Sequence, residues 1–438
     1  MIVAKFGGTS IGNADMISNI ANIIKSHINK KPVVVVSAVG GITNKLIELG
    51  NTAAEGKGNE VFENIKSIHY QILENLSLDK LLISEDIEGL SKIINEIKNK
   101  GINNELLDSI QSFGEQMSSK ILAAQLNKIG VKAGAFNSWD LGFLTNSEFG
   151  NAEPLEGTYN SLNSNIKNLD VIPIVTGFVG KTRNGEITTL GRGGSDYSAA
   201  IIGSAINAEE IQIWTDVDGV MSTDPKVVSN AKTLDRISFA EASELAYFGA
   251  RVLHPKTILP AMNKNIPVRV LNSFNPKGNG TMILNNVEKN RHLVKAVAYK
   301  KDIILINVVS TRMLGAYGFL ARVFNIFDKY KKSVDVISTS EVSVSLTIDN
   351  ENEIEDITND IEEIARVGVL KNRAVVCIVG EHMMNVPGIA GRTFEALGKN
   401  NINVEMISQA SSGVNITFVV DGRDIENAVK CLHEEYFS

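Results

Sequence analysis

The amino-terminal part of the chain, up to Leu271, alternates between short apolar runs and longer stretches in which apolar residues recur at helical spacing. The apolar runs, which we predict to be strands, fall near residues 2–6, 33–37, 131–136, 171–176, 211–215 and 267–271. Strands separated by helices predict an α/β fold with a mostly parallel sheet sandwiched by helices. Residues 60–128 are charged and poor in strand-forming runs, so we expect a helical excursion from the sheet there.

The last third of the chain contains an internal repeat. Residues 318–348 align without gaps with residues 388–418, at a constant offset of 70. Identical residues occupy the pairs Gly318/Gly388, Arg322/Arg392, Phe324/Phe394, Val334/Val404, Ile337/Ile407, Ser338/Ser408 and Val344/Val414. Each copy has the pattern of a helix followed by two alternating strands. With flanking elements, this pattern predicts two α+β units of the ferredoxin-like β-α-β-β-α-β type.

The number of predicted strands differs between the two copies. The second copy lacks a last strand, and a spare strand over 293–299 precedes the first copy. We therefore expect the first copy, 300–371, to be inserted into the second, which would comprise 293–299 and 372–438. A stretch rich in Asn, Pro and Gly at 275–280 marks a boundary. The predicted organisation is a domain over 1–280, a linker over 281–292 and a two-module region over 293–438.

Composition narrows the class of protein. The chain has 438 residues, a net charge of −7 and 43% apolar residues, which is ordinary for a soluble globular protein and argues against nucleic acid as the main partner. No apolar run approaches the length that spans a membrane and no secretory leader is evident, so we expect a cytoplasmic protein without a membrane segment. Cys377 and Cys431 are predicted to be free thiols. No Cys/His cluster indicates a metal site.

The segment Leu190–Ala199 reads L-G-R-G-G-S-D-Y-S-A. Glycines let a backbone approach a polyanion closely, and a helix beginning near Ser195 points free N–H groups at the same place. Arg192 adds a cation, and Asp196 is suited to orienting one. These features predict a phosphate or carboxylate pocket. The alternative is a tight turn with Ser195 as the N-cap residue of the helix.

Three further segments have polar or glycine-rich turns after an apolar strand. The chain opens with a strand that leads into K-F-G-G-T-S at Lys5–Ser10, which predicts a second anion cradle but not a P-loop. Four valines precede S-A-V-G-G-I-T-N at Ser37–Asn44, and W-T-D-V-D-G-V begins at Trp214. Such turns at strand ends suit a nucleotide, although the last also fits a plain Asx-rich turn. Asn184-Gly185 predicts a hairpin turn.

Together these motifs resemble aspartokinase. The segments K-F-G-G-T-S, S-A-V-G-G-I-T-N, S-F-G-E-Q-M-S (Ser112–Ser118), L-G-R-G-G-S-D, W-T-D-V-D-G-V and F-G-A-R-V-L-H-P (Phe248–Pro255) occur in the family's order and spacing. The resemblance spans nearly the whole chain and implies an amino-acid kinase fold followed by tandem ACT domains. Kinases of glutamate, acetylglutamate or UMP share the architecture but not this set of motifs.

The resemblance implies a phosphotransferase with a carboxyl group as acceptor. The implied reaction is Mg²⁺-ATP-dependent phosphorylation of the L-aspartate β-carboxylate to 4-phospho-L-aspartate, the first step of lysine, threonine and methionine biosynthesis. That carboxylate has a pKa of about 3.9 and is already an anion at neutral pH, so no general base is needed. We expect Lys5 to stabilise the transferring phosphate, with Asp196 holding the Lys5 ammonium in place.

By the same resemblance, four residues contact L-aspartate. Arg192 pairs with the α-carboxylate, Glu115 receives the α-ammonium, and Thr43 and Ser195 bind the carboxylates. The implied ATP-binding residues are Lys5, Gly7, Gly8, Gly193, Gly194, Thr215, Asp216, Lys226 and Arg251. The glycines are expected to donate N–H groups to phosphate oxygens. Mg²⁺ is expected to bridge the phosphates, and no protein ligand is assigned to it.

The first copy of the repeat resembles the effector site of the lysine-sensitive class, which is inhibited allosterically by L-lysine. The implied effector residues are Met313, Ala316, Gly318, Phe319, Leu320, Asp335, Ser340 and Glu341. Backbone groups at Gly318–Leu320 would hold the effector's carboxylate, and Asp335 and Glu341 its ammonium groups. Ala316 replaces a serine found in some relatives. We expect a homodimer or dimer of dimers through these modules, and a second copy that packs without binding lysine.

Two alternatives compete with this prediction. Glutamate is the nearest rival acceptor. A non-catalytic amino-acid sensor that uses only the repeat modules is the rival from another class, although Lys5, Arg192 and Asp196 are all present. Dimer packing alone is an alternative role for the repeat. A bifunctional kinase–homoserine dehydrogenase is not expected, because a chain ending at Ser438 leaves no room for a dinucleotide-binding domain.

Overall fold

The structure, a computed structural model, describes residues 1–248, 253, 255–287, 293–310, 313, 317–381, 383, 386–409 and 413–437. The described chain forms two compact units. The first unit comprises Met1–Val220, Asp235–Phe239 and Val252–Asn286, and the second unit comprises Met221–Leu234, Ala240–Arg251 and Val287–Ser438. Arg251 and Ala316, two predicted site residues, lie outside the described residues.

Strands in the described part of the first unit form a sheet of eight in the order β3-β4-β2-β1-β7-β9-β10-β8, and a separate β5-β6 hairpin. The strands are β1 (Val3–Phe6), β2 (Val33–Val36), β3 (Ala133–Phe136), β4 (Ile172–Thr176), β5 (Val179–Lys181), β6 (Ile187–Thr189), β7 (Ile211–Thr215), β8 (Arg236–Ser238), β9 (Val268–Asn272) and β10 (Thr281–Leu284). All six predicted strands pair in parallel. β1 and β2 are completely buried, as expected when helices cover both faces.

Helices surround this sheet, and the predicted excursion over residues 60–128 is confirmed as three of them, α3 to α5. The helices up to residue 263 are α1 (Ala14–Ser26), α2 (Ile42–Ala54), α3 (Asn59–Asn75), α4 (Ser84–Lys100), α5 (Asn104–Lys128), α6 (Gly157–Lys167), α7 (Gly194–Ile206), α8 (Phe239–Tyr247) and α9 (Pro255–Asn263). Apart from Phe239, α8 belongs to the second unit. Asn13 and Asn103 cap α1 and α5 by accepting hydrogen bonds from backbone N–H groups of the first turn.

Two turns test the sequence predictions. The hairpin around Asn184-Gly185 is confirmed, since β5 and β6 pair antiparallel and Gly185 has a φ of 101°. The predicted linker over 281–292 is wrong at its beginning, because Thr281–Leu284 is β10 of the main sheet. β10 pairs antiparallel with β9, so the turn that precedes it connects two strands of one sheet.

The second unit contains a sheet whose described strands number six, in the order β12-β13-β11-β14-β16-β15. Its strands are β11 (Ala296–Val309), β12 (Ile337–Thr339), β13 (Ser343–Ile348), β14 (Arg366–Val379), β15 (Met406–Ser408) and β16 (Asn415–Asp421). Its further helices are α10 (Phe319–Lys329), α11 (Ile354–Glu362), α12 (Ile389–Lys399) and α13 (Ile425–Phe437). The repeat is visible in α10 and α12, which follow left-handed glycines, Gly318 and Gly388, with φ of 73° and 94°.

Two long strands pass through both copies of the repeat. The first part of β11, from Ala296 to Lys300, pairs with the second part of β14, and the second part of β11 pairs with the first part of β14. The pairing shifts register between Lys300 and Ile303. The strand before the first copy therefore completes the sheet of the second copy, which is the pairing that the insertion prediction requires.

Helix α5 packs closely against the turn that follows β2. A Cβ atom built on Gly114 in α5 would lie 2.6 Å from the Ala38 Cβ, closer than two carbon atoms can approach without a shift. Glycine in the middle of a helix lowers stability relative to alanine, so a packing reason is needed for its presence. Here the reason is the close approach of α5 to the Ala38 side chain.

We predict opposite effects of the same substitution at two helical glycines. Gly114→Ala should lower the free energy of unfolding by about 1–2 kcal/mol, because the overpacking exceeds the gain in helix propensity. Gly391→Ala in α12 should raise it by about 0.5–1 kcal/mol, because its Cβ would meet no atom within 4 Å. Urea denaturation of both variants measures the difference, and equal effects would contradict the packing argument.

Candidate active site

Three turns that carry predicted site residues of the first unit meet at one edge of the main sheet. β1 lies between β2 and β7, so the carboxyl ends of these three parallel strands are adjacent. The turns that follow them carry Gly7-Gly8, Ser37–Gly41 and Asp216. In open α/β sheets this edge is where ligands bind, because loops and helix N-termini meet there.

An ion pair joins this edge to helix α7. Lys5 Nζ lies 2.6 Å from Asp196 Oδ1, and the two side chains are only 11% and 16% exposed. Lys5 lies in β1 and Asp196 in the first turn of α7, where the helix dipole also favours a carboxylate. The sequence prediction placed Asp196 beside the Lys5 ammonium, and the structure brings the two groups together.

Backbone atoms of two glycine turns contact each other. A Cβ on Gly8 would lie 3.0 Å from the Ala38 carbonyl oxygen, and one on Gly40 would lie 3.1 Å from the Gly8 carbonyl oxygen. Side chains at either position would push apart the turns after β1 and β2. The glycines of K-F-G-G and S-A-V-G-G therefore serve this mutual approach as well as any approach of a ligand.

Two of the four predicted phosphate donors have backbone N–H groups that are hydrogen-bonded within the chain. The Gly7 N–H donates to the Trp214 carbonyl at 3.2 Å and so continues the pairing of β1 with β7. The Gly194 N–H donates to the Gly191 carbonyl at 3.0 Å and closes the turn that begins α7. Both groups are already used within the chain, which leaves Gly8 and Gly193 of the four predicted glycines.

The loop that carries Arg192 is held by left-handed glycines. Gly191 and Gly193 have φ of 76° and 71°, a conformation that strains other residues. Gly193 is the N-cap residue of α7, so the alternative in which Ser195 caps the helix is wrong. Ser195 lies in the first turn and is buried, and Arg192 is exposed at the beginning of the loop.

Glu115 is buried beneath the turn that follows β2. Its residue is 2% exposed, and its Oε1 accepts a hydrogen bond of 3.0 Å from the Ala38 N–H. Its Oε2 has no hydrogen-bond partner among the residues that the structure describes. Burial raises the pKa of Glu115 to about 8. A buried carboxylate with an unused oxygen is suited to an ammonium ligand. Thr43, another predicted substrate contact, lies half-buried at the beginning of α2.

A polar cluster beside Thr215 includes residues that sequence reasoning missed. The Thr215 hydroxyl donates to Asp216 Oδ1 at 3.0 Å, and the Asn272 amide donates to Asp218 Oδ1 at 2.9 Å. Ser273 donates through its hydroxyl to Ser10 at 2.8 Å and thereby connects this cluster to the turn after β1. Asn272 is the last residue of β9, which pairs in parallel with β7. Ligands bind at the carboxyl ends of parallel strands, and this rule, which indicated Thr215, would also have indicated Asn272.

Lys256 is a second residue that the sequence analysis missed. Its Nζ lies 2.5 Å from Glu153 Oε1 and 5.4 Å from the centre of the Tyr197 ring in α7. It also donates to Asn151 Oδ1 at 3.2 Å. Lys256 directly follows the motif F-G-A-R-V-L-H-P, and this position could have indicated it as a candidate site residue.

Other predicted residues belong to the second unit. Lys226 is exposed there, and its backbone N–H donates to Asp224 Oδ1 at 2.9 Å. Among the predicted effector residues, Gly318 caps α10, Phe319 is buried, and Met313 packs against the same core. Leu320, Ser340 and Glu341 are exposed.

Asp335, predicted to bind the effector's ammonium, already has two partners. Lys300 Nζ lies 2.9 Å from Asp335 Oδ2, and the Tyr247 hydroxyl donates to Asp335 Oδ1 at 2.6 Å. The Asp335 side chain is only 5% exposed. Both oxygens of this carboxylate are therefore hydrogen-bonded within the second unit.

Comparisons with known proteins agree with the motifs. The family model of the amino acid kinase family matches residues 1–272, and an ACT-domain model matches residues 306–355 and 376–436. Aspartokinase 3, chloroplastic, of Arabidopsis thaliana is 40% identical, over 99% of this chain and 81% of that protein. E. coli aspartokinase III in complex with aspartate and ADP, in the R-state, is 36% identical with a TM-score of 0.84, and each chain is covered completely.

A second structure, E. coli aspartokinase III in complex with lysine and aspartate in the T-state, is 37% identical with a TM-score of 0.84, again with both chains covered completely. The chain belongs to the aspartokinase family. It is therefore a phosphotransferase, and its fold combines an amino-acid kinase sheet with ACT domains. The sequence predictions of family, fold class and enzyme class are confirmed.

The described part of this aspartokinase contains neither a membrane-spanning helix nor a cluster of metal ligands. Within the described ranges, no helix combines the length and apolar character that crossing a bilayer requires. Among the same residues, no three His, Cys, Asp or Glu side chains come together as metal ligands.

The raised pKa of Glu115 predicts a pH-dependent stability difference. Between pH 4.5 and about 8 the carboxyl is ionised in the unfolded chain but protonated in the folded one, so its contribution to stability falls as pH rises. Glu115→Gln removes this effect. The free energy of unfolding of the variant minus that of wild type should rise by on the order of 3 kcal/mol from pH 5 to pH 8.

Urea denaturation at several pH values measures this difference, and the subtraction cancels every other titrating group. Glu48→Gln, at an exposed position on α2, is the matched control and should give a flat difference. A flat difference for Glu115→Gln as well would show that the carboxyl is ionised in the folded enzyme.

Proposed function

We propose that this kinase transfers the γ-phosphoryl group of Mg²⁺-ATP to the β-carboxylate of L-aspartate and forms 4-phospho-L-aspartate. The observation that carries the proposal is the Lys5–Asp196 ion pair of 2.6 Å at the sheet edge where the strand-end turns meet. The relative from E. coli, which is 36% identical over its whole length, binds aspartate and ADP, and this supports the choice of substrates.

The main obstacle to this reaction is electrostatic. An anionic carboxylate must approach an anionic phosphate, so cations and aligned N–H groups must neutralise the transition state. Lys5 supplies a cation whose ammonium Asp196 orients, and Gly8 and Gly193 supply backbone N–H groups. Since the attacking carboxylate is ionised at neutral pH, Asp196 acts by positioning Lys5 and not as a base.

Aspartate is held at both ends of its backbone in this proposal. Arg192 pairs with the α-carboxylate, as its planar guanidinium suits a bidentate contact. Glu115 receives the α-ammonium on its unpartnered oxygen, and its ionised form is then stabilised. Thr43 and Ser195 bind the carboxylates. Because these groups are attached to separate elements, the distances between them suit the length of aspartate and disfavour the longer glutamate.

ATP binds along the same edge in this proposal, with its ribose or adenine near Thr215 and Asp216. Lys226 and Arg251 are assigned to the phosphates by the family pattern alone. Magnesium enters bound to ATP. Among the described residues, no three ligating side chains come together. Mg²⁺ commonly keeps water and phosphate oxygens as its ligands, so the residues present fit an ion that binds together with its nucleotide.

We further propose that the reaction opens the biosynthesis of lysine, threonine and methionine in the cytoplasm, in a homodimer or dimer of dimers built through the ACT domains. L-Lysine inhibits it by shifting a conformational equilibrium. The relative from E. coli binds lysine in its T-state, which supports this effector. Asp335, Glu341, Ser340 and the backbone at the beginning of α10 form its pocket.

Trapping of the acyl phosphate with hydroxylamine tests the reaction. Purified enzyme with Mg²⁺-ATP and L-aspartate should form the hydroxamate, and L-glutamate in place of aspartate should form little. Glutamate preferred over aspartate would establish the rival acceptor. No hydroxamate with either acid, combined with measurable lysine binding, would establish the sensor alternative.

Lys5→Ala should lower kcat by about 10²–10³-fold or more, because it removes the cation from the transferring phosphate. Lys120→Ala is a matched control, since Lys120 also pairs with a buried aspartate, Asp86, at 2.8 Å. The control should lose stability and keep its kcat. Turnover of Lys5→Ala equal to that of the control would contradict the assigned role of Lys5.

The effector pocket contains a lysine of the chain itself. The Lys300 ammonium occupies Asp335 Oδ2, where the ammonium of an effector would bind, and the Tyr247 hydroxyl occupies Oδ1. We infer that bound L-lysine replaces Lys300 on this carboxylate. The affinity for the effector then reflects an exchange of one ammonium group for another.

Lys300→Met should therefore lower the lysine concentration that gives half-maximal inhibition, by about tenfold, a change equivalent to roughly 1.4 kcal/mol. Lys301→Met is the matched control, because Lys301 is the next residue and pairs with an exposed carboxylate, Glu426, at 3.2 Å. Inhibition curves of both variants in the hydroxamate assay measure the effect. Weaker inhibition of Lys300→Met would show that Lys300 assists the effector instead of competing with it.

A further inference from the structure

Asp108 is a buried carboxylate that the mechanism above does not use. It lies on α5, seven residues before Glu115, and is 1% exposed. Seven residues are two helical turns, so both carboxylates lie on the same side of α5, about 10 Å apart along its axis. None of the ion pairs within the described ranges involves Asp108.

Three hydrogen bonds satisfy this carboxylate instead. Its Oδ2 accepts from the Thr189 N–H at 2.7 Å and from the Gly150 N–H at 2.8 Å. Its Oδ1 accepts from the Thr189 hydroxyl at 2.9 Å. A buried carboxylate without a cation is tolerated when charge-assisted bonds of this kind replace its hydration.

The two partners of Asp108 support the loop that carries Arg192. Thr189 is the last residue of β6, and Arg192 follows three residues later. The Thr189 carbonyl also accepts from the Ala152 N–H at 2.9 Å. A Cβ on Gly191 would lie 2.9 Å from the Gly150 carbonyl oxygen, so the segment around Gly150 packs directly against the loop.

We propose that Asp108 is a positioning residue for substrate binding: it joins the end of β6 to the segment at Gly150 and thereby fixes the loop that presents Arg192. One carboxylate thus bonds both to Thr189, just before the turn at Gly191, and to the segment that packs against that turn. The inference deepens the proposed function, because it rests on the assignment of Arg192 to the substrate's α-carboxylate. Asp108 itself contacts no substrate.

The consequence for catalysis is selective. Loss of Asp108 leaves three donors unpaired beneath the loop, which frees Arg192 from its position. Binding of the acceptor then weakens, while the nucleotide turn at Thr215 is unaffected. A misplaced acceptor also lowers kcat, since small displacements from the attacking geometry have large effects on rate.

The test compares three variants of the full-length enzyme. Asp108→Ala removes the acceptor atoms. Asp108→Asn keeps an oxygen for both N–H groups, and its amide nitrogen can donate to the Thr189 hydroxyl, so it should rescue the function. Asp86→Ala is the control, because Asp86 is also a buried aspartate bonded to α5, through Lys120, but not to the loop.

We expect Asp108→Ala to raise the KM for aspartate at least tenfold and the KM for ATP less than twofold. Asp108→Asn and Asp86→Ala should keep the KM for aspartate within about threefold of wild type. Equal KM values for aspartate in the two alanine variants, or equal increases for aspartate and ATP, would overturn the proposal and leave Asp108 a purely structural residue.

A measurement without activity separates this inference from the proposed function. Hydrogen exchange of the amides of residues 190–196 reports how often the loop opens, and the Gly194 N–H bond to Gly191 is its internal probe. Asp108→Ala should accelerate this exchange at least tenfold, and Asp86→Ala should not. Unchanged exchange overturns the positioning role even if the enzyme is active, and absence of hydroxamate in wild type overturns only the function.

If Asp108→Ala does not fold, Thr189→Val takes its place. This variant loses the hydroxyl donor and keeps the backbone N–H, so a smaller acceleration of exchange, between two- and tenfold, is expected. Exchange as slow as in wild type would then contradict the proposal.

Discussion

The structure of the proposed active site, at the edge of the main sheet where the turns after β1, β2 and β7 meet, depends on the ion pair between Lys5 and Asp196. Its two members come from β1 and from the first turn of α7, which are far apart in the chain, and they meet with little exposure to water. A partly buried ammonium and carboxylate lose hydration, and only close, well-directed contact offsets that loss. At the same edge, glycines let the turns after β1 and β2 approach each other backbone to backbone. The unusual glycine content of these motifs is thus a packing requirement as well as a means of binding anions.

The strands around this ion pair could be predicted from the sequence. The hydrogen-bond partners of the backbone N–H groups in the glycine turns could not. Four consecutive valines before a glycine turn can hardly be anything but a buried parallel strand, and Val33–Val36 is one. Glycine spacing, however, shows where a backbone can approach a ligand and not which N–H groups are free. The Gly7 N–H is used by the carbonyl of Trp214, a partner on a strand that is remote in sequence. Asn275–Gly280 likewise has the composition of a linker but connects two strands of one sheet.

Residues that act through others are the hardest to find from sequence. Asp108 and Glu115 have the same chemistry and lie on the same side of α5, yet one is satisfied by three donors and the other retains an unpartnered oxygen among the described residues. A carboxylate on an amphipathic helix is usually solvated, so neither stands out without its tertiary contacts. The family motif F-G-E drew attention to Glu115, and no motif contains Asp108. We assign the two carboxylates different roles because donors from β6 and from the segment at Gly150 reach Asp108.

The same reasoning applies to the proposed effector site in the second unit. An acidic residue in a lysine-binding pattern suggests a carboxylate without a partner in the unbound protein. The Asp335 side chain is only 5% exposed, and a buried carboxylate without a partner would lower stability. Asp335 is neutralised by Lys300 and bonded to Tyr247 within the fold. In the proposed mode of inhibition, L-lysine exchanges its ammonium group for that of Lys300 on the same oxygen, so the net gain in binding free energy is the small difference between two similar interactions. In that proposal, the affinity for the effector depends on Lys300 as well as on the residues that recognise the effector.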